Sequence, residues 1–147
     1  LIRLEMPDLT RSRSSLAPTR KRILLVDDDP AALRILIEAL EEDYELVTAV
    51  DGVAGLAAAS GQPDLIVTDV DMPRLDGIAM TRHIRERLGL RVPVIFLTAM
   101  DSPRHVIAGI AVGARHYMTK PVNLAQLEQR IARALGLHSV RSEPPRR

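Results

Sequence analysis

ILLVDDDP, residues 23–30, decides the fold. An aliphatic run passes straight into acid, where a strand with one wet face would alternate apolar and polar side chains. Residues 23–28 therefore read as a short strand buried on both faces, as a parallel sheet requires. Asp29-Pro30 then opens a helix, because Asp can cap the first turn and Pro suits the first helical position. In that helix Leu33, Leu36, Ile37 and Leu40 recur at helical spacing, and the acidic residues 41–43 close it.

The alternation continues outward. YELVTAV (44–50) predicts a second strand and DGVAGLAAAS (51–60) a small, Ala-rich helix, with Asp51-Gly52 as its start. DLIVTD (64–69) is a third strand, bounded by Gly61 and Pro63. Asp76 caps the next helix, Gly77 relieves backbone strain there, and Ile78, Ile84 and Leu88 form its apolar stripe. PVIFLTA (93–99) is a fourth strand, SPRHVIAGIAVG (102–113) a fourth helix, and RHYMT (115–119) a short fifth strand. NLAQLEQRIARALGL (123–137) is the last helix, with Leu124, Leu127, Ile131 and Leu135 on one face. Strands alternating with helices in this way imply an α/β class: βαβ units building one doubly wound parallel sheet with helices on both faces.

Such sheets bind ligands beyond the carboxyl ends of their strands, where the strand order reverses. Asp27 and Asp28 end the first strand, Asp69 the third and Thr98 the fourth, while Lys120 follows the fifth. All fall at one edge of the sheet. If the first strand lies between the second and third, the reversal falls between Asp27/Asp28 and Asp69. Carboxylates gathered without a partner raise one another's pKa values and tend to hold a proton. A hard divalent cation such as Mg2+ removes that conflict, since it takes oxygen ligands and binds one or two carboxylates plus a phosphate. Lys supplies a charge for phosphate oxygen, and the Thr hydroxyl a hydrogen bond. The set is complete for a phosphoryl group carried on an aspartate.

LLVDDD, TDVDMPRLDG, FLTA and YMTKP together resemble the four signatures of response-regulator receiver domains, in the family's order and near its spacing. The resemblance covers residues 22–137 and implies a flavodoxin-like sheet of strand order 2-1-3-4-5 with five helices. By it, Asp69 resembles the phosphoacceptor. Asp27, Asp28, Asp69 and the main-chain carbonyl of Asp71 resemble the Mg2+ ligands, with Mn2+ as a substitute. Thr98 resembles the switch hydroxyl, Lys120 the amine that pairs with the phosphoryl group, and Tyr117 the switch aromatic. Lys120-Pro121 resembles the family's cis bond. The implied function is a phosphorylation-activated signalling switch in the bacterial cytoplasm. It accepts a phosphoryl group from a sensor histidine kinase or phosphotransfer protein and is not an enzyme acting on other substrates. Its response is a change in the face built from the fourth helix, fifth strand and fifth helix, which meets an output partner or a second receiver in a homodimer. Asp71 and Met100 border the path of a hydrolytic water and are assigned to tuning the lifetime of the phosphorylated state.

Two other readings are weighed. Asp69-Val70-Asp71 also resembles the DxD of haloacid-dehalogenase-type phosphatases, with Asp71 as general acid/base, although that motif sits on the first strand of those enzymes. A phosphorylation-independent scaffold is marked by loss of an acid, the acceptor or the Lys, and none is lost here. The histidines show no ligand spacing: His83, His105 and His116 read as surface residues, and His138 lies in the tail.

The rest of the chain bounds these readings. Its 147 residues suit one domain, and 46% hydrophobic content suffices for a core. Cysteine is absent, which excludes disulfides, thiolate metal sites and Cys nucleophiles and fits a cytoplasmic protein. No stretch approaches the roughly 18 apolar residues of a membrane helix, and no secretory pattern opens the chain. The net charge of +1 is divided, with +4 in residues 1–22, +2 in residues 138–147 and −5 between them. Basic tails can meet nucleic-acid or membrane phosphates. Here no aromatics interleave with the charges, so residues 1–21 read as a flexible basic leader and 138–147 as a flexible tail or linker. Neither membrane contact nor direct nucleic-acid binding is expected of the domain.

Overall fold

A computed structural model describes residues 19–99 and 103–137. Met100 and the tail at 138–147 lie outside the described residues, as does the leader up to residue 18. In chain order the elements are β1 (Arg22–Val26), α1 (Pro30–Leu40), β2 (Glu45–Ala49), α2 (Gly52–Ala59), β3 (Leu65–Asp69), α3 (Gly77–Arg87), β4 (Val94–Thr98), α4 (Pro103–Ala111), β5 (His116–Thr119) and α5 (Leu124–Ala134). The five strands are parallel, in the order β2-β1-β3-β4-β5. Arg20, assigned to the leader on sequence, is bound into the fold: its guanidinium donates to the carbonyls of Glu41 (3.0 Å) and Tyr44 (2.9 Å).

The uninterrupted aliphatic strands explain the two layers. Successive side chains point to opposite faces of a strand. Ile23 and Leu25 accordingly enter a core with Leu33, Leu36 and Leu40 of α1 and Leu127 and Ile131 of α5. Leu24 and Val26 enter the other core, with Ile78, Met80 and Ile84 of α3 and Phe96 of β4. Each such side chain contributes about 1.5–3 kcal/mol on burial. Leu88, expected on the apolar stripe of α3, is the helix's C-cap and is exposed, because the buried face is completed by Met80 and Thr81 instead. Leu135 likewise caps α5, and Gly136 ends it at φ 73°.

The helix starts follow the sequence. Asp29, Asp51, Asp76 and Asn123 each accept a main-chain N–H of their helix's first turn, at 2.7–3.0 Å. At the opposite edge of the sheet, Arg85 of α3 ties two connections together. It donates to the carbonyls of Leu90 (3.3 Å) and Val92 (2.6 Å) before β4, and of Val112 (3.2 Å) and Gly113 (3.4 Å) after α4. A cavity of about 370 Å³ beside it is walled by Arg82, Arg85, Glu86 and Arg91, on the far side of the sheet from the acidic residues.

Candidate functional site

The strand order places the reversal between β1 and β3, so the residues just beyond those strands share one crevice. Asp27 follows β1 and Asp69 ends β3, with only 1% and 7% of their surface exposed. Lys120 follows β5 and reaches across the edge of β4. Its Nζ donates to Asp27 Oδ2 at 2.9 Å and to Asp69 Oδ2 at 3.4 Å. The Lys120 N–H donates to the Thr98 carbonyl at 2.7 Å, which fixes the main chain there, and the Lys120–Pro121 bond is cis. The other oxygen of Asp27 accepts the Asp29 N–H at 2.9 Å. Asp28 is exposed, yet carboxylate oxygens from Asp27, Asp28 and Asp69 lie within 4.8 Å of one another.

Burial raises the pKa of Asp69; the Lys120 charge opposes that rise and the Asp27 charge adds to it. Burial alone would lower the pKa of Lys120, but hydrogen bonding and charge from Asp27, then Asp69, raise it, so the ammonium stays charged. The donor set is all oxygen, and three carboxylates face one ammonium. Hard oxygen donors with negative charge left uncompensated fit a hard divalent cation of the Mg2+ type.

The loop between β3 and α3 closes the site. The Gly77 N–H donates to the Val70 carbonyl at 2.8 Å, and the Thr68 hydroxyl to the Asp69 carbonyl at 2.9 Å. Gly77 does not relieve backbone strain, as the sequence suggested, because its φ lies outside the left-handed region. It is needed for room: a Cβ there would stand 2.1 Å from the Asp69 carbonyl oxygen. Across the loop Arg74 forms an ion pair with Asp51, the cap of α2. Asp71 is exposed, while Met72 is buried in the core.

The Asp51 carboxyl is held below the usual carboxylate range by the Ala54 N–H and then by Arg74. A group with a depressed folded-state pKa contributes stability above its unfolded pKa and loses it as pH falls through the folded value. Thermal melts below about pH 4 should therefore show a steeper acid loss for the wild-type chain than for Asp51→Asn. Parallel acid limbs would refute that contribution.

Thr98 ends β4 fully buried, paired with Thr119 of β5. Tyr117 is half-buried on β5, its ring edge-on to Phe96 with centroids 6.2 Å apart, and it packs under Gly109 of α4. His83, His105 and His116 are half-buried rather than fully at the surface. Burial, then Arg130, Arg115 and Arg133, lower the pKa of His116. The Arg74–Asp51 pair was not legible in the sequence. The turn composition of residues 73–77 shows a loop, and no spacing rule links it to residue 51.

Fold and site define a doubly wound α/β protein with an acidic, lysine-bridged pocket at its switch point. Residues 23–132 match the family described as the response regulator receiver domain. The chain is 39% identical over 113 residues to the alkaline phosphatase synthesis transcriptional regulatory protein PhoP of Bacillus subtilis, covering 76% of this chain and 47% of that protein. It is 41% identical over 126 residues to response regulator MprA of Mycobacterium sp. strain KMS, covering 84% and 54%. The chain thus spans about half the length of these curated relatives. Among solved structures, the chemotaxis protein CheY4 of Vibrio cholerae aligns with a TM-score of 0.74 at 32% identity, over 80% of this chain and 100% of that one. The chain belongs to the response-regulator receiver family, whose members are two-component signalling modules. No helix among the described residues is long and apolar enough to cross a membrane.

Proposed function

We propose that the chain is a phosphorylation-operated switch with Asp69 as its acceptor. The carrying observation is the lysine-bridged pair of buried carboxylates, Asp27 and Asp69, beside Asp28 at the switch point. A carboxylate oxygen of Asp69 attacks the phosphorus of a phosphohistidine on a sensor kinase or phosphotransfer protein. The P–N bond breaks, its electron pair returns to the imidazole, and a P–O bond to Asp69 forms. Asp27, Asp28 and Asp69, with the main-chain carbonyl of Asp71, would hold Mg2+, or Mn2+ in its place. When bound, the metal supplies charge neutralisation for the transferring group. Lys120 supplies the positive charge that this chain itself brings to the phosphoryl oxygens.

In this reading the Thr98 hydroxyl turns to the phosphoryl group and Tyr117 moves inward with it. The α4–β5–α5 face then changes, by differential stabilisation of one of two states. Ile107 and Ile110 on α4, each 67% exposed, supply apolar surface for an output partner or a second copy of the chain. The setting is the bacterial cytoplasm, with neither membrane nor nucleic acid as a direct partner of this domain. The test is incubation with a small phosphodonor and Mg2+, followed by intact mass measurement. One phosphoryl group should be gained and then slowly lost, and an unchanged mass defeats the proposal.

The lifetime of that group is assigned to Asp71 and Met100. The Asp71 carboxylate is exposed at the mouth of the site, where it either orients or repels an incoming water. Asp71→Asn and Met100→Ala should each change the dephosphorylation rate by about tenfold, less than the roughly 10²–10⁴-fold of a group that itself transfers the proton. Rates equal to wild type in both variants remove them from this role.

A further inference from the structure

Arg74 carries an uncommon backbone. Its φ is 70°, in the left-handed region that a side chain with a Cβ rarely adopts. An exposed arginine free to choose would keep an ordinary backbone and a solvated head. Here the guanidinium instead reaches Asp51, which is 7% exposed and already fixed by the Ala54 N–H at 2.8 Å. One residue further along both segments the contact repeats. Leu75 approaches so closely that a Cβ on Gly52 would stand 2.0 Å from its carbonyl oxygen. The start of α2 and the β3–α3 loop are therefore built to meet.

What lies between the fastened points matters for the site. The Val70 carbonyl is bound by Gly77 and the Pro73 carbonyl by Leu75. Among the described residues no main-chain hydrogen bond holds Asp71 or Met72. Their placement depends on the buried Met72 side chain and on where Arg74 is pinned.

We propose that the Arg74–Asp51 pair is a positioning device for the cation site. It pins the middle of the loop to the start of α2 and so holds the Asp71 main-chain carbonyl at the acidic pocket. This rests on the reading of Asp27, Asp28, Asp69 and the Asp71 carbonyl as the cation's ligands. Outer partners that orient metal ligands typically contribute 10–100-fold in affinity. A partner acting through the backbone of Met72 and Pro73 belongs at or below the lower end of that range.

The experiment is a Mg2+ titration of the full chain, followed through the amide resonances of residues 70–77, with thermal midpoints recorded without metal. Asp51→Asn and Arg74→Ala should each raise the Mg2+ dissociation constant by about five- to tenfold, at temperatures where both remain folded. Arg74→Lys, which keeps the charge, should restore part of the loss. Arg74→Gly suits the left-handed backbone, so it removes the tie without strain and should weaken binding as Arg74→Ala does. Wild-type affinity in Asp51→Asn and Arg74→Gly overturns the inference while leaving the site reading intact. A wild-type chain that binds no Mg2+ overturns both. Weakened binding only in variants that are partly unfolded at the titration temperature makes the pair merely structural and overturns the positioning role.

Discussion

Asp69→Asn takes up no phosphoryl group under conditions that phosphorylate the wild-type chain, and it remains folded. The two side chains are nearly the same size, so the pocket between β1 and β3 keeps its shape. An uncharged carboxamide offers no anionic nucleophile, so the loss should be complete rather than partial. The stability outcome has a definite sign. In the wild type, Asp69 holds its charge against burial and against Asp27, with Lys120 as the compensating group. Replacing a buried charge by a neutral group removes that repulsion and leaves Lys120 to Asp27 alone, at 2.9 Å. The thermal midpoint at neutral pH should therefore equal or exceed that of wild type. A phosphoryl group retained by Asp69→Asn would place the acceptor elsewhere. An unfolded variant would contradict the electrostatic account.

Gly77→Ala is expected to be severely damaging although the residue does no chemistry. The new methyl would stand 2.1 Å from the Asp69 carbonyl oxygen and 3.2 Å from the Thr68 hydroxyl. The first of these is main chain in the centre of the sheet and cannot swing aside. Either α3 backs away from β3, breaking the Gly77–Val70 hydrogen bond, or the end of β3 shifts and carries Asp69 with it. Overpacking of this kind costs about 3 kcal/mol, a large part of the roughly 5–15 kcal/mol that holds a domain together. Urea unfolding should show a lower midpoint at unchanged slope, and Mg2+ binding should weaken in whatever fraction stays folded. Gly61→Ala is the control. Its Cβ would meet the Ala58 carbonyl only at 3.4 Å, and its unfolding free energy should match wild type within about 0.5 kcal/mol. Equal midpoints for the two variants would show that the β3–α3 junction yields freely.

The order of elements could be read from sequence because the central strands β1, β3 and β4 are buried aliphatic runs and the acids of β1 and β3 are terminal. ILLV and LIV leave no polar position inside the sheet, so their type is unambiguous. The element ends were trimmed by a residue or more, as at β1, where Asp27 and Asp28 lie past the strand. Those boundaries depend on hydrogen bonding that composition does not encode. Joint placement of Asp27, Asp69 and Lys120 was legible from topology alone, since a parallel sheet gathers its carboxyl ends on one side. The direct bridge from Lys120 to both acids was not, because it depends on how far the side chain reaches across β4. Gly77 was seen but explained wrongly, since a steric requirement set by a main-chain carbonyl eight residues earlier leaves no local mark. Arg74 was passed over for a similar reason. An arginine in a turn looks solvated until the cap of another helix is found beneath it.

Arg85 has a mechanical consequence. It grips the carbonyls of Val112 and Gly113, at the end of α4 remote from the acidic pocket, and fastens them to the segment entering β4. A rod clamped at one end cannot glide along its axis. Any tilt about the clamp gives travel that grows with distance from it. If the proposed switch delivers force beside Thr98, a tilt about Arg85 carries Ile107 farther than Ile110.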